Sequence, residues 1–198
     1  MIVPEDVLLN YGAELKSYQP KEIIFKEDFF PHYYYQIHDG TVKLNNYHED
    51  GTEFIQNILG AGESIGEFLL YGDNAYPMNA VAIAHCTIFC LNKDYFYQLL
   101  LDQPQLTIAL LECLSRRLYF KLQMIQNNSE KSPRCKILFF INYFKKLQNT
   151  QQPFSFELPL TRQQIANYTG LTVETVIRTI KHLERDNELM IKHGKIFL

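Results

Sequence analysis

The chain has 198 residues, 46% of them hydrophobic and 21% charged, which excludes an intrinsically disordered chain and allows one large core or two modest ones. Its net charge of −3 hides an asymmetry: residues 1–130 hold 8 Lys and Arg against 17 Asp and Glu (−9), and residues 131–198 hold 11 against 5 (+6). A basic last part after an acidic first part suggests that a polyanion meets only the last part. No apolar run approaches the roughly 18–20 residues needed to cross a bilayer. The opening "MIVPEDVLLN" lacks the basic start and small-residue cleavage site of a secretory signal, so the expected compartment is the cytoplasm, with no membrane partner.

From Pro20 to about Leu91 short runs of Ile, Phe, Tyr and Val alternate with turn residues every eight to twelve positions. "KEIIFKE" places Ile23 and Phe25 on one strand face, and Tyr33, Tyr34 and Tyr35 alternate between faces. Asp50-Gly51 between two alternating stretches predicts a hairpin. With Gly60, Gly62 and Gly66 close behind, the pattern predicts a small roll, barrel or sandwich. Four cysteines, at 86, 90, 113 and 135, form no C-x-x-C pair. They read as buried free thiols, and no metal site is expected.

From about Gln103 to Asn128 the period changes to that of a helix, opened by Pro104 and free of internal Gly or Pro. Thr107, Leu111, Leu114, Leu118, Lys121, Ile125 and Asn128 fall on a heptad seam, which predicts a partner helix. The alternative is a helix packed only on its own domain. Residues 127–131 read as a polar linker, Ser132 as a cap with Pro133 at the first helical position, and residues 148–157 as a loop entering a short strand. The domains expected are therefore 1–102, 103–131 and 132–198.

The last forty residues carry the most information. Thr161 with Gln164 forms a capping box, small Ala166 suits a close helix crossing, and Gly170 suits a tight turn. Thr172 caps a second helix with Val176, Ile180 and Leu183 inward, and "LMIKHGKIFL" reads as a two-stranded wing turning at His193-Gly194. In that order these elements make a winged helix-turn-helix. Glu174 and Arg178 then share an exposed face near the N-terminus of the second helix, the end that enters a major groove. Arginine matches guanine O6 and N7, and glutamate accepts from cytosine N4; the same pair could also be a surface salt bridge. No nucleophile–base pair, phosphate loop or metal spacing points to an enzyme.

"GESIGE", the long helix, "LTRQQIANYTGLTVETVIRTIKHLE" and "KHGK" together resemble the Crp–Fnr superfamily of transcription regulators over nearly the whole chain. The resemblance implies an α+β fold: an N-terminal β-roll of the cyclic-nucleotide-binding type (a double-stranded β-helix), a long dimerisation helix and a C-terminal winged helix-turn-helix. It implies a homodimer on palindromic double-stranded DNA, with RNA polymerase as a partner and a small-molecule or redox signal as control. Glu174 and Arg178 match the base-reading pair, and Thr161, Arg162, Thr172, Thr175, His193 and Lys195 match residues on the DNA backbone. Leu111, Leu114, Leu118 and Ile125 fall on the dimer seam.

Val173-Glu174-Thr175 is similar to the Fnr branch, and a TTGA-like or TGA-containing inverted repeat follows; Ile177 stands where that branch has serine. Gly66 and Glu67 match the start of the phosphate-binding cassette, and Lys121, near the implied pocket, either pairs with an anionic effector or reaches solvent. Pro77 and Met78 stand where the cyclic-AMP branch has an Arg-Ser pair, and Lys121 and Leu122 where it has two adenine-contacting polar residues, so cyclic AMP is not expected. No cysteine precedes Cys86, so no iron–sulfur cluster is expected; haem is not expected either, and the effector is unassigned. The alternative function is a sensor or protein-interaction module that does not read DNA sequence.

Overall fold

The computed structural model describes residues 2–129, 131–147 and 153–198. Glu130 of the expected linker and residues 148–152 of the expected loop lie outside the described residues. The chain divides into two compact units, 1–119 and 120–198, so the division falls within the long helix.

The first unit runs α1 (Glu5–Asn10), β1 (Glu14–Tyr18), β2 (Ile23–Phe25), β3 (Tyr33–Asp39), β4 (Val42–Tyr47), β5 (Glu53–Leu59), β6 (Ser64–Ile65), a 3-10 turn (Glu67–Tyr71), β7 (Asn79–Ala82), β8 (Cys86–Asn92), α2 (Lys93–Asp102) and the start of α3 (Pro104–Asn128). Strands begin at Glu14, earlier than the sequence pattern suggests, and α1 and α2 are helices that pattern does not announce. The strands form two antiparallel four-stranded sheets, β1-β8-β3-β6 and β2-β7-β4-β5. The chain crosses repeatedly between them, which winds it into a roll.

Two apolar clusters explain the burial pattern. Inside the roll, Ile37 and Ile88 of one sheet meet Val42, Leu44 and Leu59 of the other, with Met78. On the outer face of the first sheet, Tyr34, Phe89 and Leu91 pack against Leu8 of α1, Phe96 and Leu99 of α2, and Leu106 and Leu110 of α3. Both faces of β3 are thus covered, and Tyr34 and Tyr35 are both buried while Tyr33 remains exposed. Tyr34 stacks on Phe96 with ring centroids 4.0 Å apart. Gln36 is buried on the same face as Tyr34: it accepts from Val3 N–H at 3.0 Å and donates to the Val3 carbonyl at 2.8 Å. A polar residue inside a strand is satisfied here by pinning the N-terminal segment.

One strand departs from the expected alternation. Phe25 is buried but Ile23 is exposed, because the β2–β7 register shifts between them and turns the two side chains apart. The Asp50-Gly51 hairpin joins β4 to β5 as expected, with Gly51 at φ +81. Cys86, Cys90 and Cys113 are buried, whereas Cys135 is exposed on the first turn of its helix.

The second unit holds the end of α3, α4 (Pro133–Leu147), α5 (Arg162–Thr169), α6 (Val173–Arg185), β9 (Met190–Lys192) and β10 (Lys195–Phe197). Ser132 Oγ accepts from Cys135 N–H at 3.4 Å, the expected cap. Ile137, Phe140 and Ile141 of α4, Ile165 and Ala166 of α5, and Val176, Ile180 and Leu183 of α6 are buried. Phe140 and Tyr168 meet at 4.6 Å between α4 and α5.

α3 carries two stripes at heptad spacing. Leu106, Leu110, Cys113, Phe120 and Met124 are buried, while Ile108, Leu111, Leu118, Leu122 and Ile125 are exposed. Leu111, Leu118 and Ile125 keep the exposed places read from sequence. Leu114 is half-buried against the outer cluster, so at that level the exposed stripe passes through Ser115 instead. The rotation follows from the 3.6-residue turn: covering Leu110 and Cys113 turns Leu114 partly inward as well.

Gly40 makes the corner from β3 to β4 at φ +98, where an added Cβ would lie 2.6 Å from the His85 carbonyl oxygen and 2.8 Å from Cys86 Cα. Those neighbours are backbone and cannot step aside. Gly40→Ala is expected to destabilise the first unit by about 2 kcal/mol or more, read as a lower urea midpoint; an unchanged midpoint contradicts this account of the corner.

Candidate nucleic-acid interface

The interface is built from the caps outward. Thr161 Oγ accepts from Gln164 N–H at 3.1 Å, and Gln164 Oε1 accepts from Thr161 N–H at 2.8 Å, so the capping box closes in both directions. α5 ends at Gly170, in the left-handed region at φ +67, which turns the chain sharply to Thr172. Thr172 Oγ accepts from Thr175 N–H at 3.3 Å and lies 2.9 Å from Thr175 Oγ, fixing both hydroxyls at the start of α6.

α6 is sharply two-faced. Val176, Thr179, Ile180 and Leu183 are buried. Thr179 lies inward beside Ile180. On the opposite side Glu174, Ile177, Arg178, Lys181, His182 and Arg185 line one shallow concave surface. Glu174 and Arg178 are both exposed, and among the described residues neither is in an ion pair. The guanidinium is therefore available to a ligand.

The wing turns at His193 (φ +49) and Gly194 (φ +77), the two consecutive positive φ values of a two-residue hairpin loop. A backbone bridge from Glu157 to Phe197 adds residues 156–158 to its edge. Arg162 donates to the Gly194 carbonyl, tying the start of α5 to the wing tip. Lys195 pairs with Glu157 at 3.2 Å. Thr161, Thr172, His193 and Lys195 are exposed, and Arg162 and Thr175 are half-buried. The second unit thus sets Glu174 and Arg178 on one face of α6, pairs Thr172 with Thr175 at its start and ties Arg162 to the wing tip.

The expected effector residues sit differently. Gly66, at φ +66, starts the 3-10 turn, with Tyr76 and Phe25 close to where a Cβ would be. The Glu67 side chain is fully buried and ion-paired with Arg117 of α3, which also donates to the Ser64 carbonyl at 2.9 Å and lies 3.6 Å from Glu63. Burial pulls the Arg117 pKa down, but attraction to Glu67, Cys113 and Glu63 together with the hydrogen bond to Glu67 outweighs it, so the pKa is raised. Met78 is buried in the inner cluster and Pro77 offers no donor, so the residues present do not fit a cyclic phosphate. Burial lowers the Lys121 pKa, four residues further along α3.

Sequence reading passed over Arg117, although a signal was there. Among the buried positions 106, 110, 113, 120 and 124 it occupies the missing heptad place, as a lone cation in an apolar stripe.

Comparison with known proteins agrees with this geometry. The description "Cyclic nucleotide-binding domain" matches residues 15–103, and "Crp-like helix-turn-helix domain" matches residues 138–198. The transcriptional activatory protein AadR of Rhodopseudomonas palustris is 27% identical over 90% of this chain and 74% of its own length. The fumarate and nitrate reduction regulatory protein of Escherichia coli is 28% identical over 94% of this chain and 75% of its own. A CooA mutant from Carboxydothermus hydrogenoformans has the same fold, with a TM-score of 0.84, 18% identity, and 99% of this chain and 87% of that one covered.

Removing one partner of a buried ion pair strands the other. Arg117→Met is therefore expected to cost roughly 3–5 kcal/mol, and Glu67→Leu with Arg117→Met less than the two single changes added. Urea unfolding of the four proteins measures this, and strict additivity would show that the pair is not coupled. With its sensor fold, its capped helix-turn-helix and relatives along nearly its whole length, the chain belongs to the Crp–Fnr family of DNA-binding transcription regulators, which are not enzymes.

Proposed function

We propose that two copies of this chain bind an inverted-repeat DNA site in the cytoplasm, each inserting α6 into a major groove under control of a small-molecule or redox signal. One observation carries the reading: Glu174 and Arg178 are exposed side by side on a capped helix whose other face is buried. Arg178 donates two hydrogen bonds to a guanine, and Glu174 accepts from a cytosine. Thr161, Thr172 and Thr175 offer hydroxyls at helix starts, and Arg162, His193 and Lys195 line the wing side, all suited to phosphates. The half-site is a TTGA-like or TGA-containing sequence, and RNA polymerase is the partner through which binding changes transcription.

Dimerisation rests on the exposed stripe of α3, whose Leu111, Leu118, Leu122 and Ile125 cover each other best against the same stripe of a second chain. Two recognition helices then stand one DNA turn apart, on the order of 34 Å, and a signal that alters the helix pairing changes that spacing. Control by cyclic AMP is not part of this reading, because Pro77 and Met78 supply no charge for its phosphate.

Gel-shift titration at fixed salt with a TGA-containing palindrome and a scrambled duplex tests sequence reading; equal affinities overturn it. Arg178→Ala is expected to lose roughly 1–3 kcal/mol of discrimination at one base pair. Lys195→Ala, by contrast, is expected to weaken all duplexes alike and reduce the salt slope by about one. Leu118→Glu places two carboxylates in the seam and is expected to weaken self-association by about tenfold or more in sedimentation equilibrium. A dimer of unchanged strength moves the interface off α3.

A further inference from the structure

The sensor roll carries an aromatic cleft that the DNA reading does not use, and that shares Tyr76 with the stretch from Gly66 to Met78. Its floor is the stacked pair Phe25 and Tyr76, ring centroids 3.7 Å apart, with Tyr35 tilted against Phe25 at 5.8 Å. Phe29 and Phe30 form a wall and are 63% and 59% exposed, a large apolar surface for two adjacent residues of a soluble unit. The loop bearing them is held to Tyr76 by a pair of backbone hydrogen bonds. Asp28 N–H donates to the Tyr76 carbonyl at 2.9 Å, and Tyr76 N–H donates to the Phe29 carbonyl at 2.9 Å. Asp28 takes φ +66 to make this possible, so the two phenylalanines are held open by built structure.

The ammonium on the cleft lining is that of Lys26. Lys26 and His32 line the cleft, and no carboxylate does among the described residues. Glu27, the nearest acid in sequence after Lys26, is turned away to accept from Asn46 Nδ2 at 2.9 Å. The volume, about 340 Å³, is that of a small-molecule pocket. A second apolar concavity in the same unit, containing Tyr71, Leu101 and Leu111, makes the contrast clear: among the described residues no charged residue lines it.

We infer that this cleft binds a small aromatic anion, an aryl carboxylate, with its ring against Phe30 and the Phe25–Tyr76 pair and its carboxylate toward Lys26 and His32. Flat aromatic walls favour a planar ligand. The Lys26 ammonium selects the sign of its charge, since a carboxylate near an ammonium gains and a second ammonium loses, and the His32 ring offers an N–H donor beside it.

The chain has no Trp, so indole fluorescence in a mixture reports only an added indole probe. The test titrates the full chain into indole-3-acetate and, separately, into tryptamine, reading fluorescence anisotropy. Saturable binding of indole-3-acetate is expected, with tryptamine about tenfold weaker. Phe30→Ser is expected to weaken indole-3-acetate, and Lys26→Glu to reverse the preference toward tryptamine. Leu101→Ser, which alters the other concavity, is expected to leave both unchanged. Lys26 and Phe30 are exposed, and far-UV circular dichroism confirms that each variant folds. Equal affinity for the two probes, no saturable binding, or loss with Leu101→Ser but not with Phe30→Ser each overturns the inference.

Discussion

A carboxylate with no exposed surface needs a charge beside it, and in this chain Glu67 receives that charge from Arg117. The match fixes more than one side chain. Arg117 belongs to α3, Glu67 to the turn after β6, and Ser64 to β6 itself, so one guanidinium fastens the long helix to the roll at its glycine-rich end. Among the described residues the second Glu67 oxygen has no hydrogen-bond partner, which leaves the arrangement dependent on the arginine. An apolar pair would hold the helix equally well or better. What the ion pair adds is a single register, because sliding α3 by one turn would strand both charges.

That register determines which face of α3 is left over. With Leu106, Leu110 and Cys113 turned toward the outer cluster, Ile108, Leu111 and Leu118 must face away. A helix apolar on both sides is stable only when both are covered. The first unit covers one, and in the proposed dimer a second chain covers the other. The seam read from sequence differed at the Thr107, Leu114 and Lys121 levels, where Ile108, Ser115 and Leu122 are the exposed residues, because heptad counting alone cannot choose between two overlapping stripes on the same helix. The choice was made by Arg117, whose carboxylate partner lies fifty residues away in sequence.

The DNA-binding unit was legible almost residue by residue, for a physical reason. Its signals are local: the cap Thr161–Gln164, the left-handed Gly170, the cap at Thr172 and the two-residue wing turn each depend on neighbours within four positions. The roll was legible as a class but not in detail. Which faces of β3 are buried depends on α1 and α2 covering the outer sheet, and both helices are short segments without strong periodicity. The exposed Ile23 was hidden for a similar reason, since a register shift against a strand over fifty residues later turns it out. Cys135 reads like the other three cysteines in composition and differs only in standing on the open side of a first turn.

The cations of the last unit divide by what already holds them. Arg162 is engaged with the Gly194 carbonyl and Lys195 with Glu157, whereas Arg178 has no ionic partner among the described residues. A side chain that must leave a partner to meet a phosphate gains little net energy but arrives in a fixed place. A side chain with no partner pays only its own ordering and keeps its hydrogen-bonding capacity for the base. In the proposed complex the tethered residues set where the wing and α5 rest on the backbone, and the untethered arginine distinguishes one base pair from another. On that reading, positioning and reading fall to different residues because the fold has already engaged the donors of one group and left those of the other open.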